Sequence, residues 1–259
     1  MSLIKPKRNS DKTYFFEDYP GFNPNLSPSE LFHLGSFGGT YWRPIYSRVT
    51  KKHYKDQHKK YPPSWWRGLS ENQLTNSWGN YDVSLNKYGK KVGTTLQFWE
   101  DKGWIKPSHP YGWVQWYCDF FMGKRSNDDK RQIERWLGVA GENGRFRKWL
   151  ITQVLKQNGN YNDEHISPAI RQTLQHWGYV LTKADFDKEI EMRENNKKDK
   201  KTKKDEKTEK DEKTEKNKLN KKTRKSLQKI KKRKKGKKGK TYTIYKKTVK
   251  KRKSSKKIK

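Results

Sequence analysis

The side chains in this chain that could carry chemistry are few, and they do not gather into a familiar pattern. Six histidines stand at positions 33, 53, 58, 109, 165 and 176. His53 and His58 lie in a Lys-rich stretch at a spacing poorly suited to one metal ion, and solvated side chains are the better account. Asp128 and Asp129 could hold a divalent cation if folding brought Glu100 or Asp119 near. They also open a helix-forming run, where carboxylates meet the positive end of the helix dipole, and that role suffices. Ser167 precedes Pro168 and reads as a helix cap rather than a nucleophile. GENGR at 141–145 lacks the lysine and the preceding strand of a phosphate-cradling loop. Cys118 is the single cysteine, which excludes an intrachain disulfide and a Cys-based zinc site. Inside an aromatic run it reads as a buried thiol. No catalytic residue, metal site or cofactor is assigned, and the reading leans away from an enzyme.

Cations are a different matter. Lys124, Arg125, Arg131, Arg135, Arg145, Arg147, Lys148 and Arg171 fall on what the helical periodicity makes outward faces or turns of consecutive helices. Aligned, they would form a patch able to contact phosphates; a solvated basic surface is the plainer reading. The C-terminal stretch is stronger. DEKTEK at 205–210 repeats at 211–216, and residues 217–259 then hold 23 basic residues and no acid. Two segments are dense enough to bind polyanions without sequence preference. KIKKRKKGKKGK presents Lys229, Lys231, Lys232, Arg233, Lys234, Lys235, Lys237 and Lys238, and KKTVKKRKSSKK presents Lys250, Lys251, Arg252 and Lys253. A nuclear import signal is compatible with this. An anionic membrane surface is a poorer match, because no apolar face accompanies the charge.

Charge and aromatics divide the chain. Through Phe186 there are 28 Lys+Arg against 17 Asp+Glu, a balance of +11; the remaining 35 and 11 give +24. All 11 Trp lie between Trp42 and Trp177. A segment with so little to bury cannot offset its ordering entropy, so residues 187–259 are expected to be disordered. Residues 1–26 read as an extended arm, laid against the domain by Phe15, Phe16 and Tyr19, and 27–186 as the globular domain. The opening MSLIKPKRNSDK has no apolar run of a signal peptide, and no stretch is long and apolar enough for a membrane span. An intracellular protein, in a nucleus or a virion, is the expectation.

The elements that must position these residues are mainly helical. SPSELFHLG carries a capping box of Ser27 and Glu30 with Pro28 at the first helical position. From Thr94 on, five helices follow: TTLQFWEDK, GWVQWYCDFFMG, SNDDKRQIERWLG capped by Ser126 or Asn127, GRFRKWLITQVLKQ, and SPAIRQTLQHWGY. Thr40–Val49 leans toward an extended or edge strand beside Pro44. KKHYKDQHKK reads as loop, and 71–93 as loop with one short strand. The run HPYGWVQWYCDFF at 109–121 could be a stacking platform or a core. Its apolar arc spans about 200° at 100° per residue, and no Lys or Arg occurs from 107 to 123. A core helix follows from this. Ile133, Trp136 and Leu137 on one neighbour, and Ile170, Leu174 and Trp177 on another, would face it, leaving Arg171, Gln172 and Gln175 outward. The fold class is mainly α, with an aromatic core, a small extended element near the N-terminus and a Lys-rich tail.

GGTYWRPI, YPPSWWRGL, WEDKGWI, PYGWVQWYCDFFMGKRSNDDKRQIERW, GRFRKWL and SPAIRQTLQHWGYVLT together resemble a family of uncharacterised proteins associated with algae, fungi and large DNA viruses. The resemblance covers about residues 35–182. Two positions depart from its pattern. An Asp commonly precedes PYGW, where His109 stands here, and a basic residue often follows the Cys, where this chain has Asp119. The resemblance implies one shared fold and carries no activity. The function expected from the whole is non-catalytic nucleic-acid association, as of a viral genome-associated or virion protein. The alternatives are an enzyme whose aromatic pocket gathers Asp128, Asp129, Arg131 or His176, and a protein-interaction module localised by its tail.

Overall fold

The computed structural model describes residues 4–254, with side chains over 4–198 and 210–229. The chain forms two units, Met1–Glu191 and Met192–Lys259. The helices of the first are α1 (Pro28–His33), α2 (Glu71–Leu74), α3 (Leu96–Asp101), α4 (Trp113–Phe121), α5 (Asp129–Val139), α6 (Arg145–Lys156) and α7 (Pro168–His176). Their starts follow local chemistry. Ser27 Oγ accepts from the Glu30 N–H at 3.1 Å while the Glu30 carboxylate accepts from the Ser27 N–H at 2.7 Å, the reciprocal box legible in the sequence. Thr95 caps α3 by accepting from the Phe98 N–H at 3.2 Å. Before α5, both the N–H and the hydroxyl of Ser126 donate to Asp129, at 2.9 and 2.7 Å. Ser167 behaves otherwise: it sits at φ +53° and makes no side-chain cap bond. The expected cap is corrected; the fixed φ of Pro168 suits the first helical position without one.

Two antiparallel strand pairs complete the unit. β1 (Lys7–Arg8) pairs with β2 (Tyr14–Phe15), and β3 (Ile45–Ser47) with β4 (Lys52–Tyr54), placing Tyr46 opposite His53. β4 was not legible because its side chains are exposed or half-buried, so KKHY reads as polar loop. The short strand expected within 71–93 is absent; α2 and 3-10 turns at Trp78–Asn80 and Val83–Leu85 occupy it.

The N-terminal segment is not merely laid on the domain. Phe16 and Phe22 are fully buried; Phe16 meets Phe120 at 4.9 Å and Phe22 meets Trp136 at 5.1 Å between ring centroids. Tyr14, Phe16, Phe22 and Leu26 are therefore part of the core, whereas Phe15, expected to help lay the arm on the domain, is exposed. The aromatic helix α4 is the centre of that core, buried from Trp113 through Cys118 and again at Phe120. Even Gln115 on its expected polar side is buried; its side-chain oxygen accepts from the Tyr111 N–H at 2.9 Å. The stretch 109–121 is core. Ile133 and Trp136 of α5 and Leu174 of α7 are buried as expected, whereas Leu137, at the margin of its stripe, is exposed.

Helix α8 (Lys183–Ser254) begins in the first unit. Phe186 packs on the core and Glu189 is buried, and the compact unit runs to Glu191. Residues 210–229 are exposed without exception, and α8 has no apolar stripe there to bury. That agrees with a segment that contributes nothing to a core.

Candidate anion-binding cavity

The arginines picked out by periodicity separate into two groups. Three are committed to the fold. Arg125 donates to Asp18 at 2.5 and 3.0 Å and to the Ile4 and Phe120 carbonyls, fastening the N-terminal segment. Arg147 is buried, paired with Asp185 at 2.6 Å and lying over the Tyr179 ring. Arg171 is buried too and donates to the carbonyls of Ile166 and Tyr161 at 2.9 and 2.8 Å. The outward placement of Arg171, Gln172 and Gln175 is thus corrected. Buried loop carbonyls require donors, and these side chains supply them: Gln175 donates to Leu31 O at 2.9 Å and Gly35 O at 3.1 Å. Lys124 pairs with Asp119.

Arg131, Arg135 and Arg145 line one cavity. It is shared with Arg43, measures about 700 Å³, and has walls that include Trp78, Trp99, Trp104, Trp113 and Trp177. No Asp or Glu is among its lining residues. Arg131 is held by Asp128 at 2.5 and 2.7 Å. One turn on, Arg135 donates to the Gln132 side chain at 2.8 Å and lies over the rings of Trp177 and Trp104, at 5.1 and 5.7 Å. Burial, and then the neighbouring Arg131 charge, lower its pKa to about 10. Arg43 donates to the Thr40 carbonyl at 3.0 Å and lies over Trp78 at 5.1 Å; burial lowers its pKa also. Neither Arg43 nor Arg135 has a carboxylate partner among the described residues. Arg145 is exposed at the cavity, over Phe146.

His176 lines the same cavity. Its Nε2 accepts from the Phe37 backbone N–H at 3.1 Å, with the Gln172 amide 3.0 Å away. A backbone N–H can only donate, so Nε2 carries no proton and the ring is neutral with its proton on Nδ1. Burial depresses its pKa to about 3.

Of the residues a catalytic pocket would need, Arg131 and His176 reach the cavity and Asp128 stands behind Arg131. Asp129 does not: it accepts from Trp116 Nε1 at 2.8 Å and from Ser126. The arrangement offers cations and ring faces without an accompanying carboxylate base, which is the chemistry of binding an anion. Cys118 is fully buried, and burial pushes its thiol pKa well up, so it is no nucleophile. Among the described residues no group of three His, Cys, Asp or Glu could hold a metal ion. Sequence reasoning missed Arg43 and the lining aromatics Trp78 and Trp99. They sit on irregular segments and a short helix, where no long periodicity marks a shared face.

In the tail, Lys229 is exposed. Lys231, Lys232, Arg233, Lys234, Lys235, Lys237, Lys238, Lys250, Lys251, Arg252 and Lys253 lie outside the residues whose side chains are described. Among the described residues no helix is long and apolar enough to cross a membrane. Comparison of the chain with protein-family models, with curated proteins and with solved structures finds no match to any of them.

Proposed function

We propose that this chain is a non-catalytic nucleic-acid-associated protein. Its Lys-rich C-terminal segment binds phosphate backbones without sequence preference, and its compact unit docks or assembles. The observation that carries this reading is the run of 23 basic residues without one acid across 217–259. Each phosphate neutralised by such a segment releases condensed counterions, which drives association and makes it strongly salt-dependent. The fate of the other cations narrows the reading. Arg125, Arg147 and Arg171 are spent on internal partners, so the compact unit is left without the broad phosphate-facing patch they would have joined. Resemblance to proteins of large DNA viruses would make the polyanion a viral genome.

The test is a salt titration of duplex DNA and of RNA binding by the full chain and by a chain ending at Glu191. The full chain is expected to bind both with a steep salt dependence, and the shorter one to lose most of that affinity. Equal binding by the two chains, or binding by neither, overturns the reading.

A further inference from the structure

We propose that the arginine-lined cavity of the compact unit is a binding site for a small organic anion with a planar, apolar body, such as an aromatic carboxylate, sulfonate or phosphate ester. Three observations converge on it and none depends on the tail. First, its charge is uncompensated. At the α5 wall Asp128 pairs with Arg131 but not with Arg135 a single turn on, and Arg43 and Arg145 add two more cations with no acid among the lining residues. Sheltering a cation from water without a counter-charge is costly, and an anion seated there would remove that cost. Second, the remaining surface is aromatic. Trp104 and Trp177 both lie against Arg135, and Trp78 against Arg43, so ring faces and guanidinium planes offer stacking surfaces to a flat molecule. Third, the volume, about 700 Å³, falls within the range of small-molecule sites.

The same features say what the cavity rejects. A cation meets four guanidinium groups. A sugar-rich body finds few polar partners: besides the arginines the polar lining residues are few, and the hydroxyls of Thr40, Tyr41, Tyr111 and Thr173 already donate to backbone carbonyls. The ligand is anionic at one end and apolar over the rest.

Two fluorescent probes of one shape test this. Anilinonaphthalene sulfonate carries the anion, and phenyl-naphthylamine is nearly the same ring body without it. Both are titrated into the full chain at high salt, which screens the exposed tail lysines. The sulfonate should bind saturably. Arg135→Gln should weaken it about tenfold, the worth of one charge-assisted contact, while leaving the uncharged amine nearly unchanged. Gly138→Phe is the second variant. Gly138 lines the cavity, and a Cβ built there meets nothing within 4 Å, so the new ring should fill space and weaken both probes while every arginine stays in place. Near-ultraviolet circular dichroism establishes that each variant is folded; if Arg135→Gln is not, Arg43→Gln takes its place. The proposal is overturned if the sulfonate shows no saturable binding, if loss of the arginine leaves it unaffected, or if Gly138→Phe leaves both probes bound as before.

Discussion

The backbone N–H of Phe37 donates to Nε2 of His176 at 3.1 Å, and the two rings stack with centroids 3.9 Å apart. This contact joins the 3-10 turn Phe37–Gly39 to the end of α7. It also determines a protonation state, because an Nε2 that accepts from a backbone amide cannot carry a proton of its own.

Acid should therefore loosen the fold well before carboxylates protonate. An unfolded histidine titrates near pH 6.5, whereas burial holds His176 at about 3. Its folded pKa is depressed, so the unfolded state binds the extra proton first. Stability is fully present above about pH 6.5 and falls as pH drops below it, by roughly 2 kcal/mol at pH 5. His109 and His58, also lowered by burial, act in the same direction. Asp18 and Asp128, lowered despite burial by their arginine partners, matter only below about pH 4. Denaturant melts between about pH 7.5 and pH 5 should show a clear slope that His176→Gln reduces. Parallel slopes for the two proteins would rule this out.

His176 also marks where the sequence could be read and where it could not. Capping residues and the 3.6-residue period located α1 and α3 through α7, and the aromatic density of 109–121 identified the core helix, because both signals are local. The interior roles of Arg171, Gln172 and Gln175 were not legible. Their polarity places them outside by the usual rule, and only the folded chain shows that carbonyls of Leu31, Gly35, Tyr161 and Ile166 need them inside. The cavity was hidden for a similar reason: Arg43 and Trp78 are 35 positions apart, and no spacing rule links them. His109 Nε2 lies 3.6 Å from Asp119 Oδ2, a pairing of two positions ten residues apart that no spacing rule announces.

The paired glycines of GGTYWRPI lend themselves to a sharp comparison. Gly39 has φ +75°, and a Cβ there would stand 1.8 Å from the carbonyl oxygen of Asn72. Gly39→Ala should cost more than about 2 kcal/mol, through strain at positive φ and displacement of backbone. Gly79 has open space around it and no positive φ, so Gly79→Ala should change stability by less than about 0.5 kcal/mol. Urea denaturation of the two variants decides; similar values for both would show that the 36–42 turn yields easily.

Arg171 separates a structural cation from a phosphate contact. Its guanidinium serves two carbonyls from a buried position, which the single ammonium of a lysine, without the planar fork, cannot reproduce. Arg171→Lys should destabilise the fold by about 1–3 kcal/mol while leaving DNA affinity and its salt dependence unchanged in the full chain. A drop in affinity without a drop in stability would instead return Arg171 to the phosphate-binding set.

The end of the compact unit can be located by Asp185. It accepts from Arg147 at 2.6 Å and from the Tyr179 hydroxyl at 2.7 Å, and the Arg147 side chain is only 7% exposed. Removing the acid strands a buried guanidinium, which costs more than the pair contributes when intact. Asp185→Asn should therefore lose about 3 kcal/mol. A chain ending at Thr182, which lacks both Asp185 and the core-packed Phe186, should lose at least as much. A chain ending at Glu191 keeps both and should melt with the full chain, since residues 210–229 are exposed throughout. Guanidinium titrations of the three would check the order. If the chain ending at Glu191 were as unstable as the one ending at Thr182, residues beyond 191 would be part of what holds the compact unit together.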